Sequence, residues 1–387
     1  MTAILADPVS EVVAAAERLL TRRTGASVTL ADPVDLGGSG RTIVLRVRVA
    51  ENPFSLPRTL VLKQVRGDAG RPRASTVDSD EWIGDADKAF LREAVSYQFA
   101  TALATESRPG AELLASDLDA KLLVLSDLGD ASPIGVLLEH SDADTVTNTL
   151  MAMAQALGRM HAATVGREED FTALLRRADV PPTADAFATR VATVASEVPG
   201  LLAEHLDIDV PAEVVEQVEH AAKLFRGGGF RAFSPADLCP DNIIVNDEGV
   251  RFLDYEWGGF RDAMLDITYA LVSFPGCLCS IDLSDERSDA MIDAWRAEVV
   301  GIWPALADDA VLAARMLEAE LIWVWLTTSL FLPENHERIA TVREHALSVP
   351  RLEALRQRWS RLGRAAQRAG NNVVAGHAAQ VEDRLRG

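Results

Sequence analysis

The pattern of hydrophobic residues along the chain changes near residue 130 and so divides the chain into two regions. Before it, apolar residues alternate with polar ones in short runs such as "TIVLRVRV" and "TLVLKQV", and this period of two predicts β-strands. After it, apolar residues recur every three or four positions over long stretches, which predicts helices. We therefore expect an α+β protein with a strand-rich first third and a larger helical remainder.

The first third is predicted to form a small sheet with one inserted helix. Its predicted elements are, in order, a helix at 8–24, a strand with Ile43, Leu45, Val47 and Val49 on one face, a strand carrying Lys63 near its end, an amphipathic helix around Glu93, and a buried strand that ends in a turn at Asp127–Asp130. The polar, Gly- and Asp-rich residues 66–85 are expected to form a loop.

The helical remainder shows one short β element among many helical patterns. The predicted helices cover about 142–165, 182–197, 211–226, 263–274, 285–302, 308–331, 335–346 and 350–369. The final stretch, "AGNNVVAGHAAQVEDRLRG", is weakly patterned and is expected to fray. A small β-rich lobe beside a larger helical lobe creates a cleft, and small-molecule sites often lie in such clefts.

Composition narrows the classes of function. A length of 387 residues favours two domains over one, and the net charge is −20. An acidic balance argues against nucleic acid as a partner, because phosphate binding relies on clustered Lys and Arg. It is compatible with a cationic small substrate, and equally with an acidic surface that serves only solubility.

The chain shows no sign of secretion or membrane insertion. Three cysteines provide no disulfide framework and no zinc-site spacing. Residues 1–20 lack a basic segment before an apolar run, so no signal peptide is predicted. The most apolar stretch, "LIWVWLTTSLFL", is too short to span a bilayer. We expect a cytoplasmic protein with no membrane partner, and the oligomeric state is not indicated.

Acidic residues cluster around one predicted hairpin, "NIIVNDEGVRFLD". Two apolar runs flank the turn-forming "NDEG", so folding about this turn places Asn242 opposite residue 253 or 254. Asp254 then lies beside Asn242, and Glu256, two residues on, points to the same side. Asp237 lies five residues before Asn242, in a proline-bounded loop.

Carboxylate and amide oxygens converging on one point suit Mg²⁺, which keeps open positions for water and substrate phosphates. A divalent ion would also relieve the repulsion between the clustered carboxylates. Asp237 is offset from the Asn242 and Asp254 pair, so it is placed to accept a proton from an attacking hydroxyl. The alternative is a charged turn with solvated carboxylates, which the hairpin geometry disfavours.

This segment resembles the aminoglycoside phosphotransferase and choline kinase superfamily, a group of small-molecule kinases with a protein-kinase-like fold. The match to its H-G-D-x-x-P-x-N loop is "DLCPDN", and "FLDYEW" supplies the metal-binding Asp. The resemblance implies that Asp237 is the catalytic residue and that Asn242 and Asp254 bind Mg²⁺. It leaves Glu256 as a possible second metal or substrate contact.

Two positions depart from the family pattern, and two others follow it. Pro235 stands where the family usually has His, and Ala236 stands where it has Gly, which puts the rigidity of the loop in question. Asp262 and Asp266 match a following G-D-x-x-x-D-L, and we expect them to cap a helix and fix the loop.

The nucleotide end rests on a second set of residues. "LGGSGRT" is a glycine turn at the entry of a strand, and taken alone it is an ordinary turn composition. Folding the two strands together places Lys63 opposite a residue near Leu45, roughly 15 Å from the glycine turn. The resemblance implies that the nucleotide phosphates contact Lys63 and the glycine turn, that Lys63 pairs with Glu93, and that adenine meets the backbone around Ser126–Leu128. The implied glycine-turn contacts are Gly37, Gly38, Ser39 and Gly40.

The ordered motifs predict a bilobal protein-kinase-like fold. The expected division is a nucleotide-binding N-lobe at 1–126, a hinge at 127–131 and a helical C-lobe at 132–387. The implied activity is transfer of phosphate from ATP, with Mg²⁺, to a hydroxyl of a small molecule, which is cationic in the leading hypothesis. A sugar or amino-sugar kinase of the same fold and a nucleotide-binding pseudokinase are the alternatives.

The acceptor itself stays open at this stage. Several tryptophans follow Asp254 and could enclose a quaternary amine, and the carboxylates of "IDLSDERSD" could instead meet aminoglycoside ammonium groups. Trp323 and Trp325 are two positions apart on one helix, so we expect at least one of them in the core. His161 is expected to be a buried, hydrogen-bonded core residue.

Overall fold

The computed structural model describes residues 7–38, 42–51, 56–66, 86–181, 185–274, 279, 281, 283–333 and 347–386. A five-stranded antiparallel sheet with two helices occupies the first third, and helices dominate the remainder. The predicted α+β class, with a small β-rich lobe and a larger helical lobe, is confirmed.

The main sheet has the spatial order β1-β2-β3-β5-β4. Its strands and the helices that accompany them are α1 (Pro8–Thr24), β1 (Thr29–Gly37), β2 (Thr42–Glu51), β3 (Thr59–Val65), α2 (Ala86–Thr101), β4 (Leu113–Asp117) and β5 (Leu122–Ser126). Lys63 on β3 lies between Val44 of β2 and Leu123 of β5. This register agrees with the predicted position of Lys63 near Leu45.

The two faces of the sheet bury different partners because successive side chains of a strand point to opposite sides. On β5, Leu122 and Val124 pack with α1, whereas Leu123 and Leu125 pack with α2 and the helical lobe. Helix α1 presents Val12, Ala16, Leu19 and Leu20 to the sheet. The helix carrying Glu93 therefore lies on the face that is turned toward the rest of the molecule.

The helical lobe is built around one helix that is buried over most of its length. The helices of the lobe are α3 (Ile134–His140), α4 (Ala143–Thr164), α5 (Glu168–Arg177), α6 (Ala186–Leu206), α7 (Ala212–Ala221), α8 (Met264–Leu271), α9 (Asp285–Val299), α10 (Asp309–Phe331), α11 (Arg351–Arg368) and α12 (Asn372–Arg386). From Met316 onward, helix α10 is mostly buried among α6, α7, α8 and α11. No helix within the described residues combines the length and apolar character needed to cross a membrane.

Two small sheets carry the acidic segment. One pairs β7 (Arg231–Ser234) with β10 (Gly259–Asp262), and the other has the order β6-β8-β9, with β6 (Ser132–Pro133), β8 (Ile243–Asn246) and β9 (Gly249–Phe252). Strand β6 directly follows the expected hinge and pairs with β8. The acidic hairpin is therefore attached by hydrogen bonds to the segment that leaves the first lobe.

Several predicted boundaries were wrong. The final stretch does not fray but forms α12, which buries Val374, Ala378 and Val381 against its neighbours. The helix predicted at 182–197 extends to Leu206, and β1 and β4 were not predicted. Strands β6, β7 and β10 were missed in a region where one hairpin was expected. The loop at 67–85 and the helix at 335–346 lie outside the described residues.

Candidate active site

The hairpin has the predicted register. Ile243 pairs with Phe252 and Asn246 with Gly249, so the chain turns at Asn246–Gly249. Leu253 donates its backbone N–H to the Asn242 carbonyl at 2.8 Å. Asn242 thus lies opposite Leu253 with Asp254 next in line, and the prediction that they meet at the open end is confirmed.

Asp237 is presented by a tight turn that directly follows β7. Its backbone N–H donates to the Pro235 carbonyl at 2.9 Å, and Ala236 between them has φ +66°. A three-residue turn of this hand is strained for a residue with a side chain. The Asn242 side-chain nitrogen donates to the Asp237 carbonyl at 3.2 Å, closing the loop from the other side.

The Asp237 carboxylate is half-buried, and two donors reach its Oδ1. The Tyr269 hydroxyl donates to Oδ1 at 2.9 Å, and the Cys239 backbone N–H donates to the same oxygen at 3.3 Å. Burial raises the pKa of Asp237, and these hydrogen bonds partly oppose the rise by stabilising the charged form. Tyr269 was not predicted as a site residue.

A buried hydrogen-bond chain braces the start of this loop. Ser234 Oγ donates to Asp266 Oδ1 at 2.7 Å, and His161 Nε2 lies 3.0 Å from Asp266 Oδ2. Trp295 Nε1 lies 3.1 Å from His161 Nδ1. Because the indole N–H can only donate, His161 Nδ1 is the acceptor of this hydrogen bond. His161 Nε2 therefore carries the N–H that donates a hydrogen bond to Asp266.

This brace fixes the backbone on the N-terminal side of Pro235, the position where the resembled motif has His. The residue before it, Ser234, is fixed through Asp266 by His161 and Trp295, all of them buried. The expectation that His161 is a hydrogen-bonded core residue is confirmed. Asp262 accepts from the backbone N–H groups of Met264 and Phe230 at 3.1 and 3.2 Å, so it binds the first N–H of α8 from the position before the N-cap residue, Ala263.

The nucleotide end is a compact cluster of charges. Lys63 Nζ lies 2.6 Å from Glu93 Oε1 and 2.5 Å from Asp254 Oδ1, so it joins the sheet, helix α2 and the acidic hairpin. Burial lowers the pKa of Lys63, but the two carboxylates outweigh burial and hold that pKa well above its ordinary value. Lys63 therefore remains a cation between two carboxylates, and the Lys63–Glu93 pair implied by the resemblance is present.

Helix α2 also holds Asp254 through a contact that sequence reasoning missed. Asp254 has φ +53°, and its backbone N–H donates to the Tyr97 hydroxyl at 3.2 Å. Tyr97 lies one helical turn after Glu93 and stacks on Tyr255 with ring centroids 4.9 Å apart. Its i+4 spacing from Glu93 was a signal that could have identified it.

Glu256 adds another carboxylate to the same region. Burial raises its pKa to about 7, and the nearby carboxylates of Glu93 and Asp254 contribute while Lys63 opposes them. Glu93 and Asp254 contact Lys63 directly, and Glu256 lies near enough to interact with the charges of Glu93, Asp254, Asp237 and Lys63. The region favours binding of further positive charge.

Asn242 and Asp254 have the chemistry to hold a divalent ion. Asn242 uses its side-chain nitrogen on the Asp237 carbonyl, which directs the amide oxygen elsewhere. Asp254 is about half exposed, with 47% of its side chain accessible, and Lys63 contacts only Oδ1. Across the described ranges, no three or more His, Cys, Asp and Glu side chains group as a metal site. The candidate ligands for a divalent ion are therefore one carboxylate, Asp254, and one amide, Asn242, and both ligand types suit Mg²⁺.

The glycine turn is described only at its start. Gly37 has φ +91°, and its N–H donates to Asp35 Oδ1 at 2.8 Å. A Cβ on Gly38 would lie 2.1 Å from the Thr42 carbonyl oxygen, so only glycine fits there. Ser39 and Gly40, the other two predicted contacts, lie outside the described residues.

The expected hinge is held by two polar contacts. The Ser126 N–H donates to the Glu112 carbonyl at 2.9 Å, and Asn246 Nδ2 donates to the Leu128 carbonyl at 2.8 Å. Because a carbonyl oxygen can accept two hydrogen bonds, the adenine contact expected at Ser126–Leu128 stays a prediction.

Arg46 of β2 fixes the same segment. Its guanidinium contacts Asp127 Oδ1, the Gly129 carbonyl and Asp130 Oδ1 at 3.0, 2.7 and 3.2 Å. One side chain of the sheet thus binds three residues of the expected hinge. Sequence reasoning did not single out Arg46.

The helical-lobe tryptophans do not form a cage for a cation. Trp295, Trp303, Trp323 and Trp325 are buried in the core, where Trp323 Nε1 donates to the Leu265 carbonyl at 2.7 Å. Trp257 is half-exposed and follows Glu256 directly. The expectation that at least one of Trp323 and Trp325 is a core residue is confirmed for both.

Comparison with known proteins yields structural likenesses only. No family model and no curated protein matches the chain. The chain is similar to a choline/ethanolamine kinase family protein from Mesorhizobium loti (13% identity, 90% of this chain and 92% of that chain, TM-score 0.47). It is similar to choline kinase LicA from Streptococcus pneumoniae (11% identity, 90% and 99%, TM-score 0.42).

A third similar structure is the ternary complex of streptomycin, ATP and APH(2")-IIa (11% identity, 83% of this chain and 96% of that chain, TM-score 0.42). Their descriptions name choline kinases and APH(2")-IIa, and the motifs of this chain resemble those of the aminoglycoside phosphotransferase and choline kinase superfamily. Because every identity is below 20% and every TM-score below 0.5, the case for function rests on the site of this chain.

Proposed function

We propose that the protein transfers the γ-phosphate of ATP to a hydroxyl of a small molecule. The observation that carries the proposal is the meeting of two lobes at one charged cluster. Lys63 and Glu93 come from the sheet lobe, and Asp254 joins them from the hairpin that also presents Asn242. Asp237 lies on the loop that leads into this hairpin. The proposed phosphate-binding cation and the proposed proton acceptor therefore belong to one site.

The residues divide the reaction between them. Lys63 would contact the phosphates as a cation held in place by Glu93. Asn242 and Asp254 would hold a divalent ion, Mg²⁺ in our proposal, which when bound neutralises phosphate charge. Asp237 would orient the acceptor hydroxyl and take its proton as the new oxygen–phosphorus bond forms and the bond to the ADP oxygen breaks.

A cationic acceptor is the finer part of the proposal. Lys63 contacts the Glu93 and Asp254 carboxylates, Glu256 lies near enough to interact with both of them, and the net charge of the chain is −20. A negative region raises the encounter rate of a positive substrate. An amino alcohol or an amino-bearing antibiotic fits this charge better than a neutral sugar does.

The sugar-kinase and pseudokinase alternatives make different predictions. A sugar kinase of the same architecture would turn over a neutral acceptor and show little preference for cations. A pseudokinase would bind nucleotide without transferring phosphate, and the complete set of Lys63, Asp237, Asn242 and Asp254 disfavours it.

The test is a coupled ADP-release screen with choline, ethanolamine, aminoglycosides, amino sugars and neutral sugars. For the acceptor found, Asp237→Asn should lower kcat by about 10²–10⁴-fold and leave ATP affinity nearly unchanged, because a positioned base contributes in that range. Asp241→Asn, which changes an exposed carboxylate in the same loop, is the matched control and should stay near wild type. Near-normal turnover of Asp237→Asn would reject the assignment.

A further inference from the structure

Tyr269 belongs to helix α8, and its side chain ends on Asp237. Only 3% of the residue is exposed, and its hydroxyl lies 2.9 Å from Asp237 Oδ1. The nucleotide-binding assignments made above do not use this residue. A buried hydroxyl that ends on the proposed base is placed to act on the reaction without touching the substrate.

The tyrosine ring is held rigidly by its surroundings. It packs edge-on against Trp323, with ring centroids 5.1 Å apart and an interplanar angle of 85°. Trp323 in turn donates its indole N–H to the Leu265 carbonyl of α8, and Asp266 of α8 is tied to His161 and Ser234. Because α8 is fixed at both points, the position of the hydroxyl is set before any substrate binds.

The geometry also distinguishes the two oxygens of the Asp237 carboxylate. Tyr269 and the Cys239 backbone N–H both donate to Oδ1, and neither donates to Oδ2. A carboxylate with one oxygen bound in this way cannot rotate freely about its side-chain bonds. Oδ2 is then the oxygen offered to an incoming hydroxyl.

This restraint matters because the local backbone provides a poor anchor. Ala236 adopts a strained φ of +66°, and Pro235 replaces the His of the related motif. The brace through Ser234 fixes the backbone before the turn, but it does not reach the carboxylate. In the part of the chain that the structure describes, Tyr269 is the side-chain hydroxyl that does.

We propose that Tyr269 is a positioning residue that fixes Oδ1 of Asp237 and so reserves Oδ2 for the proton of the acceptor hydroxyl. In the step, the acceptor O–H proton moves to Oδ2, the acceptor oxygen bonds to the γ-phosphorus, and ADP leaves with the electron pair of the broken bond. The tyrosine keeps its own proton throughout. The proposal rests on the proposed function, because it assumes that Asp237 is the base.

The test is a double-mutant cycle between Tyr269→Phe and Asp237→Asn. The Tyr269→Phe substitution removes the hydroxyl and keeps the aromatic ring and its packing. Tyr269→Phe should lower kcat by about 10- to 100-fold, the range expected for losing a hydrogen bond to a charged group. The dissociation constant for nucleotide with Mg²⁺ should be unchanged. In the Asp237→Asn background the same change should have no further effect, since the carboxylate that it positions is gone.

Thr268→Val is the matched control, because it removes a buried hydroxyl from the same helix that bonds only within α8, to the Met264 and Leu265 carbonyls. Its kcat should stay near wild type. An unchanged kcat in Tyr269→Phe would overturn the proposal. A kcat loss in the double variant equal to the product of the losses in the two single variants would overturn it too. A matching loss of kcat in Thr268→Val would also overturn it, by showing a general effect of disturbing α8. If Asp237→Asn itself keeps full activity, the proposed function fails instead.

Discussion

Lys63 and Asp237 lie at the two ends of the candidate site, and the protein holds them by different means. Lys63 is held by charge, between Glu93 of the sheet lobe and Asp254 of the hairpin. Asp237 is held by neutral donors from the helical lobe, chiefly the Tyr269 hydroxyl. One end depends on contact between the two lobes, whereas the other is assembled within a single lobe.

This difference indicates how each end responds to binding. Any phosphate or divalent ion that enters would compete with the charged contacts of Lys63, so we expect this end to rearrange if nucleotide binds there as proposed. The side chains that hold Asp237 and Asp266, namely Tyr269, Ser234 and His161, are buried. We expect the acceptor end to be preorganised and the nucleotide end to be completed by its ligand.

The largest effect is expected at the charged end. Asp254→Ala removes the carboxylate that contacts Lys63 and one of two side chains suited to a divalent ion. We expect nucleotide binding to lose its dependence on Mg²⁺, because Asn242 alone offers no charge to the ion. Isothermal titration calorimetry with ATP, with and without Mg²⁺, measures this.

The control is Asp247→Ala, which removes an exposed carboxylate from the turn of the same hairpin. It should keep the magnesium dependence of the wild type. An Asp254→Ala variant that keeps it too would place the ion elsewhere and break the contrast between the two ends.

A smaller but still large effect is expected in the brace behind Asp237. His161→Phe leaves the Asp266 carboxylate with one donor fewer and the Trp295 N–H without its acceptor, both in the core. The free energy of unfolding should fall by about 2–4 kcal/mol, since each stranded buried polar group costs about 1–3 kcal/mol. Urea unfolding measures it.

His161→Gln keeps a donor and an acceptor at this site and is the comparison variant. Its loss of stability should be clearly smaller than that of His161→Phe. Equal losses would mean that ring packing, and not the hydrogen-bond chain, supports the acceptor end.

The part of the site that could be predicted from local sequence is the part whose residues lie a few positions apart. The hairpin register followed from a turn composition between two apolar runs, and it brought Asn242 and Asp254 together as expected. A turn between two apolar runs depends on neighbours a few residues away, which a sequence displays directly. The pairing of Lys63 with Glu93, by contrast, was implied by the resemblance and is present in the structure.

The supporting residues were missed because their partners are distant in sequence. Tyr269 meets Asp237 across 32 positions, and Trp295 meets His161 across 134. Arg46 reaches the expected hinge from more than 80 positions away. Nothing local to these side chains distinguishes them from ordinary core or surface residues.

Two errors in the fold have similar causes. Strand β1 is an edge strand with a single buried side chain, Leu30, and three register shifts, one of which spans Pro33, so it shows no alternation to detect. Helix α12 buries small residues such as Ala375 and Ala378, which give a weak apolar stripe, and it gains its order by packing on α11.

The smallest effect concerns backbone strain, which both ends of the site contain. Asp254 has φ +53° and Ala236 has φ +66°. The strain at Asp254 is offset by the Tyr97 and Lys63 contacts, and aspartate tolerates this backbone region better than alanine does. Ala236 has only a methyl group, so its strain has no compensating side-chain hydrogen bond.

Ala236→Gly should therefore raise the free energy of unfolding by up to about 1 kcal/mol, because relief of left-handed strain worth about 1–2 kcal/mol exceeds the added chain entropy of about 0.4–1 kcal/mol. Ala232→Gly, in the buried strand just before it and outside the positive-φ region, should instead lower stability. Urea unfolding of the two variants gives the comparison. If Ala236→Gly is as destabilising as Ala232→Gly, the turn at Ala236 is not strained, and Asp237 needs less support from Tyr269 than we propose.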